Sequence, residues 1–181
     1  VALDENPRET LNFEAMSKLP PAFKKGGSIT AGNASSITDG GSAVVLMSRD
    51  KAKELGIKPM ARVLATCSYG VPPRIMGIGP AYAVPKVLNL ASLTKEQIDL
   101  FEINEAFAAQ FLAVNRQLKI PMDRCNVNGS GIGLGHPVGS TGVRLIVTLV
   151  YEMQRRGAQY GISSLCGGGG VTTAVCLERL A

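Results

Sequence analysis

The sequence predicts an α/β layered domain, and three observations carry that prediction. Apolar, β-branched runs alternate along the chain with segments of helical period. Hydrophobic residues make up 45% of the 181 and charged residues 18%. That is ample apolar material for a core and too little charge for disorder. The glycines, 21 in all, cluster at 129–142 and 167–170, between elements rather than in a low-complexity tail.

The elements follow in order. Residues 1–33 carry turn signals ("NPRET", "LPPAFKKGG", "TAGN") and little apolar periodicity. Ser42–Ser48, "SAVVLMS", reads as a short buried strand bounded by Gly40 and Gly41. "RDKAKELG" is a short polar helix with Gly56 placed to cap its end. Ala61–Tyr69 is a second strand. After "GVPPRIMGIGP" a helix is expected near Ala81–Leu90, followed by a capping box at Thr94–Gln97.

Ile98–Ile103 is a third strand, and "NEAFAAQFLAVNRQLK" a helix with Phe107, Phe111, Val114 and Leu118 on one face. Beyond the glycine-rich loop, "STGVRLIVTLVYEMQRRG" predicts a long buried helix closed by Arg155, Arg156 and Gly157. "YGISSLC" and "VTTAVCLERL" are two strands joined by "GGGG", expected to run antiparallel. The chain holds no internal repeat.

Several function classes drop out. The net charge of +5 is modest, the basic residues are scattered, and aromatics are few, so nucleic acid is not the expected partner. The four cysteines (Cys67, Cys125, Cys166, Cys176) form no C-x-x-C pair and no metal-ligand spacing with the one histidine, His136. They read as reduced thiols of an intracellular protein.

No signal peptide is visible, and the longest largely apolar run, Val143–Val150, is too short for a membrane span. The opening "VALDENPRET", without Met, reads as the continuation of a longer polypeptide. The glycines at 129, 131, 133 and 135 alternate, so G-x-G-x-x-G is missing, and no P-loop or G-x-S-x-G elbow is present.

Three polar residues stand where strands end, the usual ligand-binding edge of an α/β sheet. Asn104 follows a strand and opens a helix, His136 sits in the glycine-rich loop, and Cys166 ends a strand before the glycines. Singly, each has a plain structural reading: a helix cap, a loop hydrogen bond, an inert buried thiol. Together they form a possible Cys–His pocket.

Here the chain resembles a known family. "NEAFA" (104–108), "NVNGSGIGLGHPVGSTG" (126–142) and "CGGGG" (166–170) are similar to the three C-terminal motifs of the thiolases. "TAGNASSITDGGSAVVLMS" and "MGIGP" extend the resemblance upstream, so that it runs from about Arg8 to Leu180. It implies a thiolase-like α/β fold. Residues 58–181 would be the C-terminal core domain, a mixed five-stranded sheet with helices on both faces. Residues 36–57 would be the last strand and helix of the N-terminal domain, and 1–35 the tail of the CoA-binding loop region.

The resemblance also implies an activity: reversible Claisen condensation or thiolytic cleavage of 3-ketoacyl-CoA. The substrates would be CoA and acyl-CoA, with no separate cofactor and no metal. Cys166 would be the acid/base, and His136 would activate a nucleophilic thiol and then hold the thioester oxygen. Asn104 would hold a water completing that oxyanion hole, and the Gly168 N–H would help form a second one. Ala34 and Ser35 match the turn that contacts the pantetheine arm, and Arg8 and Phe23 match positions near the nucleotide end. Met76 matches a residue lining the acyl pocket, and Phe107 is expected among the substrate- and CoA-binding residues.

The family's acylated cysteine has no counterpart here, since Cys67, Cys125 and Cys176 match no active-site motif. The expectation is therefore a chain inactive alone, completed by an N-terminal thiolase half or partner chain, and assembled as a dimer or tetramer. The alternative is a non-catalytic thiolase-like subunit that binds acyl-CoA. No membrane insertion is expected, and the location would be cytoplasmic, or the mitochondrial or peroxisomal matrix in a eukaryote. Smaller departures are Ser36, Pro20 and Gly167, and "GSGIGLGHP" for the commoner "GGAIALGHP".

Overall fold

The computed structural model describes Arg8 and residues 10–180. Residues 1–7 and 9, part of the expected turn region and of the loop-region tail, lie outside the described residues. At the centre is a four-stranded sheet. β1 (Ala61–Gly70) pairs antiparallel with β4 (Val171–Arg179), and β4 pairs antiparallel with β3 (Tyr160–Cys166). β3 runs parallel to β2 (Leu100–Ile103), giving the order β1-β4-β3-β2. The terminal strands are thus the antiparallel pair the sequence implied.

Period-2 alternation sorts the sheet into two faces. Phe101, Ile103, Ile162 and Cys176 pack with Val84 and Val87 of α3 (Pro80–Ala91) and with Phe111 and Val114 of α4 (Ala108–Leu118). On the other face Leu100 and Leu177 meet Leu149 and Met153 of α6 (Thr141–Arg156). Each fully buried side chain of this kind contributes about 1.5–3 kcal/mol, so the two apolar layers hold the sheet between helices. Gly161 permits the closer approach: a Cβ there would sit 2.7 Å from Met153 Sδ and 2.8 Å from Leu149 Cδ1.

The helices show where periodicity is a sound guide. Phe111, Val114 and Leu118 are buried on one side of α4. Phe107, however, stands in extended backbone just before that helix and bridges Ala34. Asn104 therefore does not open α4, and the helix-cap reading fails. α6 ends on left-handed Gly157 as expected. It is buried along one side only, with Leu145 and Leu149 at 0% and Tyr151 at 63% exposure.

Gln97 Oε1 accepts the Thr94 N–H at 2.8 Å, as the capping box requires. The first segment is not wholly irregular: Asn12 caps one helical turn, α1 (Phe13–Ser17). Ser48 caps α2 (Arg49–Glu54), and a single further turn, α5 (Gly131–Leu134), precedes the histidine loop.

Two strand expectations are corrected. Ser42–Ser48 forms no strand, and Val45 and Leu46 are 84% and 76% exposed. Its composition suits a strand, but a strand exists only with a pairing partner, and none of β1–β4 supplies one. The sheet has four strands among the described residues rather than five. Outside β2 there is only a single parallel bridge, Phe101 to Cys125. Asn126 turns left-handed at φ 51, and its side-chain amide takes over the pairing. Oδ1 accepts from Ile103 N–H and Nδ2 donates to Ile103 O, both at 2.8 Å.

No helix among the described residues is long and apolar enough to cross a membrane.

Two buried glutamates, one on α6 and one on β2, have different fates. Glu152 is ion-paired with Arg155 and Arg156 and accepts from Asn128 Nδ2 at 2.9 Å. Glu102, 2% exposed on β2, has no such pairing, and its Oε2 lacks a partner among the described residues. Burial pushes its carboxyl up to about 8, with Glu105 adding to the rise and Arg144 opposing it. A raised native pKa means the folded state holds a proton that the unfolded chain has released. Its stabilisation is complete below about 4.5 and is lost as pH rises through about 8. Urea unfolding should show stability falling across that window by on the order of a few kcal/mol. Glu102→Gln should flatten the slope; an unchanged slope would refute the assignment.

Candidate active site

The parallel register of β2 and β3 sets Ile103 beside Ser164. Asn104, one residue beyond β2, extends the ladder through its N–H to Ser164 O at 3.0 Å. Cys166, the last residue of β3, ends at the same edge. Asn104 thus stands level with Leu165, one residue before Cys166, so both motif residues lie at the same end of the parallel pair.

His136 arrives from the other direction. Gly135 turns the chain at φ +84, and the His136 N–H donates to Ser36 O at 3.1 Å beside an Ile37–His136 bridge. The imidazole is held at both nitrogens. Nδ1 lies 2.7 Å from Thr141 Oγ1, and Nε2 lies 3.3 Å from Asn104 Nδ2. Asn104 and Thr141 are both fully buried. Two side chains thirty-two positions apart are thus in direct contact, as a common pocket requires.

That pocket is a cleft of about 270 Å³ lined by His136, Cys166, Gly168, Met76, Ala106 and Thr173. It joins three of the four expected catalytic residues and one expected pocket residue, with Asn104 just behind His136. A larger cleft of about 350 Å³ lies across the histidine loop, between Thr38–Ser42 and Pro137–Ser140. It holds neither thiol nor imidazole, so the chemistry belongs to the smaller one.

Local electrostatics separate the two reactive groups. Burial lowers the His136 pKa, and the Arg144 guanidinium lowers it further, so the ring is neutral at pH 7. Burial raises the Cys166 thiol above its ordinary value, with a backbone hydrogen bond opposing. The group at rest is a thiol, ready to give a proton. Burial also pushes Cys125 up to about 12 and Cys176 to about 11. Cys67 sits in β1 with its Sγ donating to Ala83 O at 3.3 Å. None of the three lines the cleft.

Three of the residues expected to bind CoA gather against Ala106 and Phe107, just beyond Asn104 in the chain. Ala34 bridges Phe107, Ser35 N–H donates to Ala106 O at 3.0 Å, and Phe23 meets Phe107 edge-on at 5.8 Å. Arg8 is exposed, and no hydrogen bond or ion pair among the described residues joins it to this group.

Sequence reading passed over Thr141, Glu102, Arg144 and Asn126. Arg144 carries a buried guanidinium without a partner among the described residues, on a helix whose pattern suggested only a core. Thr141 was detectable in principle, being five residues after the histidine at the start of a helix.

With this geometry in view, comparison with known proteins is direct. The family model "Thiolase, C-terminal domain" matches residues 57–179, and "Thiolase, N-terminal domain" matches residues 1–50. The chain belongs to the thiolase family. An acetyl-CoA acetyltransferase of Syntrophomonas wolfei is 56% identical over 179 residues, covering 98% of this chain and 45% of that protein. An acetyl-CoA acetyltransferase of Escherichia coli K12 is 49% identical over 177 residues, with coverage of 98% and 45%.

Among solved structures, the Bacillus anthracis acetyl-CoA acetyltransferase superposes with TM-score 0.94 at 52% identity, over 98% of this chain and 45% of that one. Human mitochondrial 3-ketoacyl-CoA thiolase gives 0.91 at 42% identity, over 99% and 45%. This thiolase chain spans a little under half the length of the relatives it matches.

The placement of the histidine depends on Gly135. Beyond its positive φ, a Cβ there would lie 2.6 Å from Thr38 Oγ1 and Cγ2. Gly135→Ala should cost about 1–3 kcal/mol in urea unfolding and displace the loop. A variant of unchanged stability would show that the turn does not constrain the site.

Proposed function

We propose that this chain is part of an acyl-CoA C-acyltransferase acting on 3-ketoacyl-CoA by reversible Claisen condensation and thiolysis. Residues 58–181 are its C-terminal domain, 36–57 the last part of its N-terminal domain and 1–35 the tail of its CoA-binding loop. The carrying observation is that His136 and Cys166 line one cleft, with Asn104 in contact with His136 behind it. The relatives' printed activities, acetyl-CoA acetyltransferase and 3-ketoacyl-CoA thiolase, support the substrate class.

The roles follow from the chemistry of each group. His136, neutral and facing the cleft, takes the proton of the nucleophilic thiol, which the other half of a thiolase supplies. That thiolate attacks the keto carbon of the substrate, and the bond between Cα and the keto carbon breaks. The electron pair goes to the thioester enolate, whose carbon takes the proton of Cys166. In condensation Cys166 removes that proton instead. Protonated His136 and a water held by Asn104 stabilise the thioester oxyanion, and the Gly168 N–H serves the acyl-enzyme oxygen. Such donors are worth about 3–4 kcal/mol each in the transition state.

CoA is substrate rather than cofactor. Ala34 and Ser35 border its pantetheine arm, with Arg8 and Phe23 toward the nucleotide end. Met76 borders the acyl group, and Phe107 belongs to the same binding surface. The functional assembly is a dimer or tetramer of complete subunits in the cytoplasm or an organelle matrix.

The test is reconstitution. This chain alone should show no thiolysis of acetoacetyl-CoA, and co-expression with the N-terminal half of a thiolase should restore it. Cys166→Ala and His136→Ala should each lower kcat in the assembled enzyme by about 10²–10⁴-fold. The pH profile should lose activity below the ordinary imidazole pKa of 6.5 and, on the alkaline side, above 9.0. Acyl-CoA binding without turnover in the assembled form would favour the non-catalytic subunit.

A further inference from the structure

We propose that Thr141 is a positioning residue that holds His136 in the tautomer with its hydrogen on Nδ1, leaving Nε2 bare toward the cleft. The Thr141 hydroxyl stands between two groups. It lies 3.0 Å from Pro137 O and 2.7 Å from His136 Nδ1. A carbonyl oxygen only accepts, so the hydroxyl proton points at Pro137 and an oxygen lone pair faces the ring. Nδ1 must then donate.

The far side of the ring agrees. Asn104 presents its Nδ2, which only donates, at 3.3 Å from Nε2. The opposite tautomer would require the Asn104 amide to turn over and the Thr141 hydroxyl to leave Pro137. Thr141 is 0% exposed, so water does not compete for its hydroxyl.

The arrangement has a further merit when the ring takes up a proton. Imidazolium donates from both nitrogens, and Thr141 already faces Nδ1 as an acceptor, whereas the Asn104 Nδ2 at Nε2 must give way to the new N–H. The hydroxyl need not rotate between the two charge states. Thr141 begins α6, and its N–H and that of Ser140 also reach Pro137 O, at 2.9 and 2.7 Å. The carbonyl that orients the hydroxyl is therefore itself fixed by the first turn of the helix.

The tautomer stands on this geometry, while its catalytic consequence rests on the acyl-transfer reading above. The chain's one histidine makes it directly observable. Long-range ¹H–¹⁵N spectra of the ¹⁵N-labelled chain at neutral pH should show a pyrrole-type Nδ1 and a pyridine-type Nε2. Thr141→Val should move the ring toward Nε2–H, and Thr141→Ser should restore the original pattern. Amide dispersion checks that each variant is folded.

In the reconstituted enzyme, Thr141→Val should lower kcat at least about tenfold with KM little changed, and Thr141→Ser should recover it. Nε2–H in the unsubstituted chain, or an unchanged tautomer in folded Thr141→Val, overturns the proposal. Because the unsubstituted spectrum suffices, a variant that fails to fold does not remove the test. Absence of thiolysis in every reconstituted form overturns the acyl-transfer reading instead, and the spectra still decide the tautomer.

Discussion

The parallel pairing of β2 with β3 is the constraint on which the site depends. Its register places Ile103 opposite Ser164, and β3 runs two residues further to Cys166, so both strands end at the same edge of the sheet. Asn104 and Cys166 come to that edge without any loop having to carry them. Parallel strands need a long crossover, and the crossover here contains α4, the histidine loop and α6. The same connection that allows the parallel pair delivers His136 to the edge where the strands end. Sheet topology and site assembly are one event.

Charge is distributed around that edge with similar economy. Arg144 lies on the inner side of α6, where it lowers the His136 pKa and interacts with Glu102 and Glu105. Burial lowers the Arg144 pKa and the two acids oppose that fall, while Glu102 itself, raised to about 8, keeps its proton at neutral pH. The ring stays neutral chiefly because it is buried, and the cation beside it acts in the same direction. The thiol stays protonated because burial dominates its surroundings. One base and one acid thus coexist in a cleft of about 270 Å³.

Much of this was legible in the residues. Helical period identified α3, α4 and α6, and β-branched runs identified β1, β3 and β4, because these elements bury one face against the others. The spacing of Asn104, His136 and Cys166 pointed to a pocket. What escaped were features set by partners rather than by pattern. "SAVVLMS" has the composition of a strand and no neighbour to make it one. The sheet edge beyond β2 is closed by an amide side chain, which period-2 patterns do not register. Asn104 looked like a helix cap because the extended backbone at Phe107 depends on Ala34, more than seventy residues away.

Asn126 has a consequence beyond strand counting. By satisfying both main-chain groups of Ile103 with its side chain, it leaves that stretch of the sheet with nothing to offer another strand. The opposite border, β1, runs ten residues with no strand beyond it among the described residues. Unfilled borders are where foreign strands add. Lateral growth of this sheet, into an ordered assembly or an aggregate, is therefore directional: one margin is chemically sealed and the other is open.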